Sequence, residues 1–206
     1  MSALQNNRPT HRSQEQRSLE TRERLVKATL ELICEVGLER LTTAMTAQRA
    51  GVSKGAQTHH FPTKNDLLIG AFVYLIDIWG REREAFEAQQ PERIPLEAYI
   101  CYFWRVIFSK PIYIASVELM LAARGDADLR ERIQAVLDTW MEVRDTAFWK
   151  SIDLDMTRKD AADFLRLTLA VLRGMAIHES FNRDPEENEA VFETWLAMTR
   201  VYFKRG

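Results

Sequence analysis

The sequence predicts an all-α protein with about nine helices. Only 8 Gly and 6 Pro occur among its 206 residues, so long regular elements with few loops are expected. Apolar residues recur at helical spacing through most of the chain, and N-cap residues, glycines and prolines separate these segments. Because 46% of the residues are hydrophobic, the chain can bury a substantial core.

The first segment with helical periodicity runs from Ser18 to Val36. Its apolar side chains, among them Leu25 and Leu32, fall on one face. Ser18 is a suitable residue for the N-terminus, and Gly37 is expected to end the helix. The polar residues 1–17 that come before it are interpreted as a flexible N-terminal arm.

The stretch that begins at Thr42 has the pattern of two short helices joined by a tight turn. Thr42 and Thr43 favour an N-terminus, and the alanine-rich segment that follows contains neither Gly nor Pro. Gly51 supplies the left-handed conformation that closes a helix. Ser53 can then cap a second helix, Lys54–His60. This order of elements predicts a helix-turn-helix.

The second short helix does not have the surface of a core element. Gly55 and Ala56 keep its first turn slim. Most of its other side chains form hydrogen bonds: Lys54, Gln57, Thr58, His59 and His60. A slim, polar and weakly basic helix of this kind can enter the major groove of DNA.

The distribution of charge agrees with a DNA-binding region at the start of the chain. Residues 1–64 carry 10 Lys and Arg but 6 Asp and Glu, a balance of +4, whereas the remainder carries −6. A basic region on an acidic remainder directs that region towards phosphate.

Further helices are expected after Pro62, at about 63–89, 96–108, 111–124, 126–149, 157–179 and 185–203. Gly70 and Gly80 lie inside the first of them and mark either weak points or close packing. The helix at 157–179 is apolar on more than one face, which is typical of a central helix or of one shared with a second chain.

The beginning of the sequence resembles the TetR family of bacterial transcriptional regulators. The matching residues are Thr42, Ala47, Ala50, Gly51, Val52, Ser53, Gly55, His60, Phe61, Lys64, Asp66, Leu67 and Leu68. Their fixed spacing makes the match specific, whereas the rest of the chain agrees in length and helical character alone. The resemblance implies a helix-turn-helix DNA-binding domain at 18–63 and a larger ligand-binding and dimerisation domain at 64–206.

The resemblance implies that one surface of the first domain contacts double-stranded DNA. Lys64 is expected to contact phosphate from the start of the fourth helix, and Thr42 or Thr43 to add a second contact. Lys54 is expected to reach guanine or phosphate, and Gln57 an adenine edge. The predicted DNA-binding residues are Thr42, Thr43, Ser53, Lys54, Gly55, Ala56, Gln57, Thr58, His59 and Lys64. Whether the arm also reaches phosphate or the minor groove stays open.

Aromatic side chains are concentrated in the middle helices, a region that the family uses as a ligand cavity. Each of them is first of all a candidate for core packing. As a set they favour a small apolar or aromatic effector, oriented by Tyr hydroxyl or Trp N–H groups. The predicted pocket residues are Trp79, Tyr99, Tyr102, Phe103, Trp104, Phe108, Tyr113, Met120, Trp140 and Met141.

The resemblance also implies a homodimer, since in the family the last two helices of each subunit form a four-helix bundle across a two-fold axis. The apolar pattern taken alone fits a central core helix equally well. The predicted interface residues are Phe164, Thr168, Val171, Leu172, Gly174, Met175, Phe192, Trp195, Met198 and Tyr202.

These features predict a ligand-responsive transcriptional regulator, taken as a repressor that binds a pseudo-palindromic operator and releases it when the effector binds. The residues themselves do not distinguish repression from activation. One alternative is a helical carrier or enzyme whose helix-turn-helix is structural only. Another is a co-regulator that dimerises but needs a partner to bind DNA.

The sequence contains no pattern typical of catalysis or metal binding. A nucleophile elbow, a Gly-rich phosphate loop and an HExxH motif are all missing, so no catalytic residue, cofactor or metal site is predicted. Cys34 and Cys101 are interpreted as buried thiols rather than a disulfide. The sequence has no apolar run of about 20 residues and its N-terminus is polar, which predicts a cytoplasmic protein without membrane contact.

Overall fold

The computed structural model describes residues 13–90, 92–153, 157–181 and 184–203. Nine α-helices make up most of this part of the chain, which confirms the predicted fold class. They are Gln14–Val36 (α1), Thr43–Arg49 (α2), Lys54–His60 (α3), Lys64–Ala88 (α4), Leu96–Tyr102 (α5), Pro111–Ala122 (α6), Ala127–Ser151 (α7), Arg158–Glu179 (α8) and Pro185–Phe203 (α9). Two short strands, Ile94–Pro95 (β1) and Ile152–Asp153 (β2), pair in parallel and join the loops before α5 and after α7.

The first helix begins earlier than the sequence pattern suggested. It starts at Gln14 rather than Ser18, because the hydroxyl of Ser13 accepts a hydrogen bond from the Gln16 amide at 3.1 Å and caps the helix. The last residues of the predicted arm therefore belong to α1. The rest of that arm, residues 1–12, lies outside the described residues.

The helix-turn-helix forms where the sequence predicts it. The hydroxyls of Thr42 and Ser53 cap α2 and α3 by accepting from the amides three positions further on, at 3.2 and 3.1 Å. Gly51 has a φ of 64° and closes α2. The Val52 amide then donates to the carbonyl of Ala47 at 3.0 Å, which fixes the turn.

One continuous core connects the two ends of the molecule. We call α1–α3 the head and α5–α9 the body; α4 packs against both. Buried side chains run without interruption from Leu25 in α1 to Leu196 in α9. The head is small, and it completes its own core against α4, where Leu67 and Leu68 are buried.

The two glycines of α4 have different surroundings. A Cβ atom at Gly70 would lie 2.5 Å from Cε1 of Phe61 and 3.3 Å from Cγ1 of Val26, so Gly70 allows α4 to approach the head closely. A Cβ atom at Gly80 would have no atom within 4 Å. Of the two readings left open, close packing is therefore correct for Gly70 and wrong for Gly80.

The helix predicted at 96–108 changes its winding part-way. Its first half is the α-helix α5, and its second half, Phe103–Phe108, is a π-helical segment in which the Ser109 amide donates to the Trp104 carbonyl at 2.9 Å. Among the described residues no single helix is both long and apolar enough to cross a bilayer. Residues 96–108 and 111–125, bent by 75° at their junction, reach that length and composition only as a pair.

Both cysteines are free thiols. Cys101 is half-buried in α5, whereas Cys34 is exposed on α1. The expectation that both are buried is therefore wrong for Cys34, because the apolar face of α1 turns towards α4 and leaves this position outside.

Candidate DNA-binding surface and ligand cavity

One face of α3 is polar and exposed. Lys54, Gly55, Thr58 and His59 all lie on it. Lys54 and Thr58 lie one above the other because they are four residues apart, as do Gly55 and His59, and the two rows are neighbours on the helix surface. The first turn carries no side chain at Gly55, so the backbone itself is accessible there. This face has the shape and chemistry of a helix that can enter a DNA groove.

Gln57 lies on the opposite side of α3 and is buried, with 2% of its surface exposed. Its Nε2 atom donates to the carbonyl of Phe61 at 2.9 Å, which satisfies the C-terminal end of the helix. The prediction that Gln57 reads an adenine edge is therefore wrong, since the amide that would do so already has a partner inside the protein. Thr43 and Ala56 are half-buried.

The starts of α2 and α4 lie side by side. The ammonium of Lys64 donates to the carbonyl of Leu41 at 2.8 Å, directly before Thr42. A capping box holds this end of α4: the Thr63 hydroxyl accepts from the Asp66 amide, and the Asp66 carboxylate accepts from the Thr63 amide, both at 3.0 Å. The Thr63 hydroxyl also donates to the Asp66 carboxylate at 2.7 Å, and this bond, with those from the Thr63 amide and Arg132, holds the pKa of Asp66 below its usual value. The remaining N–H groups of Lys64 are available to a phosphate.

A cavity of about 330 Å³ lies in the body. Its walls come from α4, the π-helical segment, α6, α7 and α8. Seven of the predicted pocket residues line it: Trp79, Phe103, Phe108, Tyr113, Met120, Trp140 and Met141. The rings are close together: the Trp79 centroid lies 5.8 Å from that of Trp140 and 6.1 Å from that of Tyr113. The walls are therefore largely aromatic.

Tyr99 was predicted to line the pocket but belongs to a buried polar network next to it. Its hydroxyl donates to the carboxylate of Glu87 at 2.9 Å and lies 2.5 Å from the Ser151 hydroxyl. Burial raises the pKa of Tyr99 to about 12, so the phenol stays protonated. Because the hydroxyl already has protein partners, the prediction that Tyr99 lines the pocket is wrong.

The prediction that Tyr102 and Trp104 line the pocket is also wrong, because both side chains pack between helices. The ring of Tyr102 stacks on Phe86 with centroids 4.6 Å apart. The ring of Trp104 stacks on Phe192 of α9 at 5.5 Å. Both side chains are nearly inaccessible, with 4% and 3% of their surface exposed.

Several lining residues were not predicted: Phe72, Ile107, Ser116, Gln134, Leu137, Arg144, Leu169 and Arg173. The two arginines had a recognisable signal. Arg144 follows Trp140 by four residues in the apolar stripe of α7, and Arg173 follows Leu169 by four residues in that of α8. A charged residue at a core position of a helix indicates a functional interior.

The two arginines have different partners. Arg144 is buried, and its Nε and Nη2 atoms donate to Oδ1 of Asp145 at 2.8 and 2.6 Å. Its guanidinium lies 4.9 Å from the ring centroid of Trp140. Arg173 is exposed and lies near Tyr113; burial raises the pKa of this phenol, and the charge of Arg173 opposes that rise. No Asp or Glu is among the described residues that line the cavity.

Comparison with known proteins identifies the family. The sequence profile of the bacterial regulatory proteins, tetR family, matches residues 25–71, from α1 into α4. The HTH-type transcriptional regulator CymR from Pseudomonas putida is 32% identical over 199 residues, covering 96% of this chain and 98% of CymR. The chain belongs to the TetR family.

Other members of the TetR family and solved structures agree. The HTH-type transcriptional regulator BetI from Yersinia pestis (strain Pestoides F) is 44% identical over 130 residues, 63% of this chain and 53% of BetI. A transcriptional regulator from Rhodococcus sp. Rha1 superposes with a TM-score of 0.65 at 22% identity, covering 86% of this chain and 94% of that one. The multidrug binding protein EbrR, complexed with ethidium, gives a TM-score of 0.58 at 22% identity, with 85% and 98% covered. At such identities the structures show a shared fold.

In this TetR-family chain, α8 and α9 expose apolar side chains on a common surface. A groove of about 350 Å³ between them is lined by Phe164, Leu167, Trp195, Met198 and Thr199, with Asp160 and Asp163 at its edge. Leu167 is 63% exposed and Met198 is 59% exposed. Ile177, Val191 and Val201 are exposed on the same two helices. We call these exposed side chains and the groove the α8–α9 face.

The predicted interface residues divide between this face and the core. Thr168, Leu172 and Phe192 are buried inside the chain, with 1%, 0% and 0% of their surface exposed. Their assignment to an interface is wrong, because the inner side of α8, with Thr168 and Leu172, packs against the π-helical segment and α6, and Phe192 of α9 stacks on Trp104. The side chain of Tyr202 lies outside the described residues. The others remain candidates: Phe164, Val171, Gly174, Met175, Trp195 and Met198.

Proposed function

We propose that this chain is a cytoplasmic, ligand-responsive transcriptional regulator that binds a pseudo-palindromic operator as a homodimer. As a repressor, it releases the operator when a small molecule occupies the cavity in the body. The exposed polar face of α3 is the observation that carries this proposal, because a folded protein gains no internal contact from it. Membership of the TetR family supports the same assignment.

In the proposed complex, α3 lies in the major groove with its exposed face towards the bases. Lys54, Thr58 and His59 offer side-chain donors to base edges or phosphates, and Gly55 lets the backbone approach closely. Lys64 and the start of α2 flank the groove and bind phosphates. Phosphate contacts set affinity and orientation, whereas the α3 side chains set sequence preference.

The proposed dimer places two heads on one face of the DNA. Exposed Leu167 and Met198 at the α8–α9 face would be buried in such a dimer, which removes apolar surface from water. Two heads related by a two-fold axis then meet half-sites in successive major grooves, about 34–36 Å apart or a multiple of this.

Two helices that line the cavity, α6 and α7, form hydrogen bonds to the head and to the start of α4, which gives the ligand a route to the DNA-binding surface. In α6, Glu118 accepts a hydrogen bond from the Leu38 amide of the head at 2.6 Å. In α7, Arg132 donates to Asp66 at the start of α4 at 3.0 Å. Both helices also line the cavity. A ligand that binds one arrangement of α6 and α7 more tightly shifts the head with them.

The proposal is tested with DNA fragments selected from a random pool by the full-length protein. We expect a specific complex with a two-fold symmetric site, and an affinity that falls steeply as salt rises, since phosphate contacts release counterions. If no selected sequence binds better than random DNA at about 0.1 M salt, the regulator assignment fails and a ligand carrier with a structural helix-turn-helix is favoured instead.

A further inference from the structure

We propose that the cavity binds an aromatic carboxylate, with its ring among the aromatic walls and its carboxylate on Arg173. That this molecule is the effector rests on the proposed function. The binding preference itself is a property of the cavity and is measured without DNA.

The walls of the cavity fit a flat apolar ring. Trp79, Trp140 and Tyr113 form one group of rings, and Phe108 lies 4.6 Å from Tyr113. A volume of about 330 Å³ lies at the lower end of the ~300–1,000 Å³ found for small-molecule sites. The size therefore favours a ligand of one or two rings.

The winding of the chain contributes to this wall. Phe103, Ile107 and Phe108 all come from the π-helical segment and line the cavity together. A π-helical turn is rare because it widens the helix, and such turns are frequent at functional sites. Here the widened turn places apolar side chains around a space rather than closing it.

The charges that line the cavity are positive. Arg144 is paired with Asp145, whose carboxylate balances it. Arg173 lines the cavity together with Tyr113, whose pKa burial raises, and within the described ranges it forms no ion pair. One positive charge at the cavity is thus left without a balancing carboxylate. A guanidinium binds a carboxylate with two parallel hydrogen bonds, so an anionic ligand completes this site.

The same charges discriminate against other aromatic ligands. A cationic ligand would find favourable ring faces but would lie near two guanidinium groups in a partly buried site. A neutral aromatic ligand would fill the apolar walls and leave Arg173 without a counter-ion. Attraction of a carboxylate and repulsion of a cation therefore both favour an aromatic carboxylate. Binding sites obtain specificity by combining these two effects.

The test uses probes that share a shape but differ in charge. 2-Naphthoate, 2-naphthamide and 2-naphthylmethylammonium are titrated into the full-length protein at neutral pH, with tryptophan fluorescence reporting on Trp79 and Trp140. Benzoate, benzamide and benzylammonium form a smaller second series. We expect a carboxylate to bind at least about tenfold more tightly than the matching amide, a ratio that corresponds to 1.4 kcal/mol, and the ammonium to bind most weakly.

A pair of variants assigns the preference to the cavity. Arg173→Gln should remove the advantage of the carboxylate over the amide, whereas Arg173→Lys should keep part of it, because a point charge remains without the planar fork. Arg166→Gln is the matched control. Arg166 lies on the same helix but is 79% exposed and pairs with Asp163 away from the cavity, so this variant should bind like wild type.

Several results would overturn the inference. They are equal binding of amide and carboxylate, tightest binding of the ammonium, no binding of either carboxylate up to about 1 mM, or an unchanged preference in Arg173→Gln. Each of these leaves specific DNA binding intact and so does not touch the regulator assignment. Conversely, a carboxylate that binds through Arg173 in a protein without an operator supports the ligand class and contradicts the proposed function.

Discussion

The head and the body build their candidate sites from different distances along the sequence. In the head, each cap joins residues only three positions apart: Ser13, Thr42 and Ser53 all accept hydrogen bonds from amides in their own helix. In the body, the cavity takes its lining from five elements, beginning at Phe72 in α4 and ending at Arg173 in α8. The first kind of site follows local rules, whereas the second exists only when the helices are packed.

This difference predicts how each of the two regions should respond to mutation. A site made from local bonds keeps its shape when distant residues change. In the proposed dimer, its use nevertheless depends on the body, since two heads would act together only when the α8–α9 face holds them at a fixed separation. Each prediction below changes one region and measures a property of the other, or compares matching positions in both.

The largest effect is expected from charges on the α8–α9 face. The double variant Leu167→Glu with Met198→Glu places two carboxylates where a partner chain would bury apolar surface. We expect a folded monomer whose affinity for a selected operator is about 10²–10⁴-fold lower, because the second head no longer binds intramolecularly. Sedimentation velocity measures the dimer, and fluorescence anisotropy measures the affinity.

Leu121→Glu is the control for the added charge, since Leu121 is 56% exposed on α6, away from the α8–α9 face. It should leave both the mass and the affinity unchanged. A double variant that remains a dimer with wild-type affinity would place the dimer interface elsewhere. It would also show that DNA binding by the head does not depend on the α8–α9 face.

The sequence predicts most of the head because its signals are local. A cap at Thr42, a left-handed Gly51 and a cap at Ser53 are each identified from one or two residues, and the structure confirms all three. The prediction for Gln57 was wrong because local rules do not show which side of a short helix faces inwards. Here the packing around Phe61 decides that side, and Gln57 lies on it.

In the body, the sequence predicts that aromatic residues surround a cavity but not which of them line it. Trp79 and Tyr99 occur in similar apolar helices, yet only Trp79 lines the cavity, since the space is defined by several helices at once. The same holds for α8, where Leu167 and Leu172 were equivalent in the apolar pattern. The chain covers Leu172 and leaves Leu167 exposed, and no periodicity indicates which side is covered.

The junction of head and body is tested by the two glycines of α4. Gly70→Ala would bring a Cβ atom within 2.5 Å of the buried Phe61 ring, which Arg22 covers at 4.4 Å. We expect the free energy of unfolding to fall by about 1–3 kcal/mol, as for other overpacked sites. Urea unfolding followed by circular dichroism measures this change.

Gly80→Ala is the matched substitution in the same helix. Its Cβ atom meets nothing within 4 Å, so the higher helix propensity of alanine should raise the free energy of unfolding by up to about 1 kcal/mol. Equal effects of the two substitutions, in either direction, would show that the close approach at Gly70 does not limit the packing of the head.

At the start of α4, next to the head, Lys64→Ala tests a single phosphate contact. Removing this ammonium should lower the affinity for all DNA sequences and reduce the slope of log affinity against log salt by about 1 per head, or about 2 per dimer. Anisotropy titrations at several salt concentrations measure the slope. Lys150→Ala removes an exposed lysine at the end of α7 in the body and should change neither quantity. Loss of sequence preference at an unchanged slope would instead assign Lys64 to a base.

The smallest effect is expected from a histidine of the head. Burial, with the nearby charges of His59 and Arg22, lowers the pKa of His60. The unfolded chain, where histidine has a pKa of about 6.5, therefore takes up the proton first. By linkage, the free energy of unfolding falls as the pH drops through about 6.5, and this loss stops growing below the folded-state pKa.

His60→Gln should remove this part of the pH dependence. We expect the fall in unfolding free energy between about pH 8 and pH 5.5 to be smaller in the variant than in wild type, because most carboxylates titrate at lower pH. His178→Gln in α8 controls for the loss of an imidazole in the body. Parallel pH profiles for wild type and His60→Gln would contradict this prediction. They would mean that the charged imidazole of His60 is as well solvated in the folded protein as in the unfolded chain.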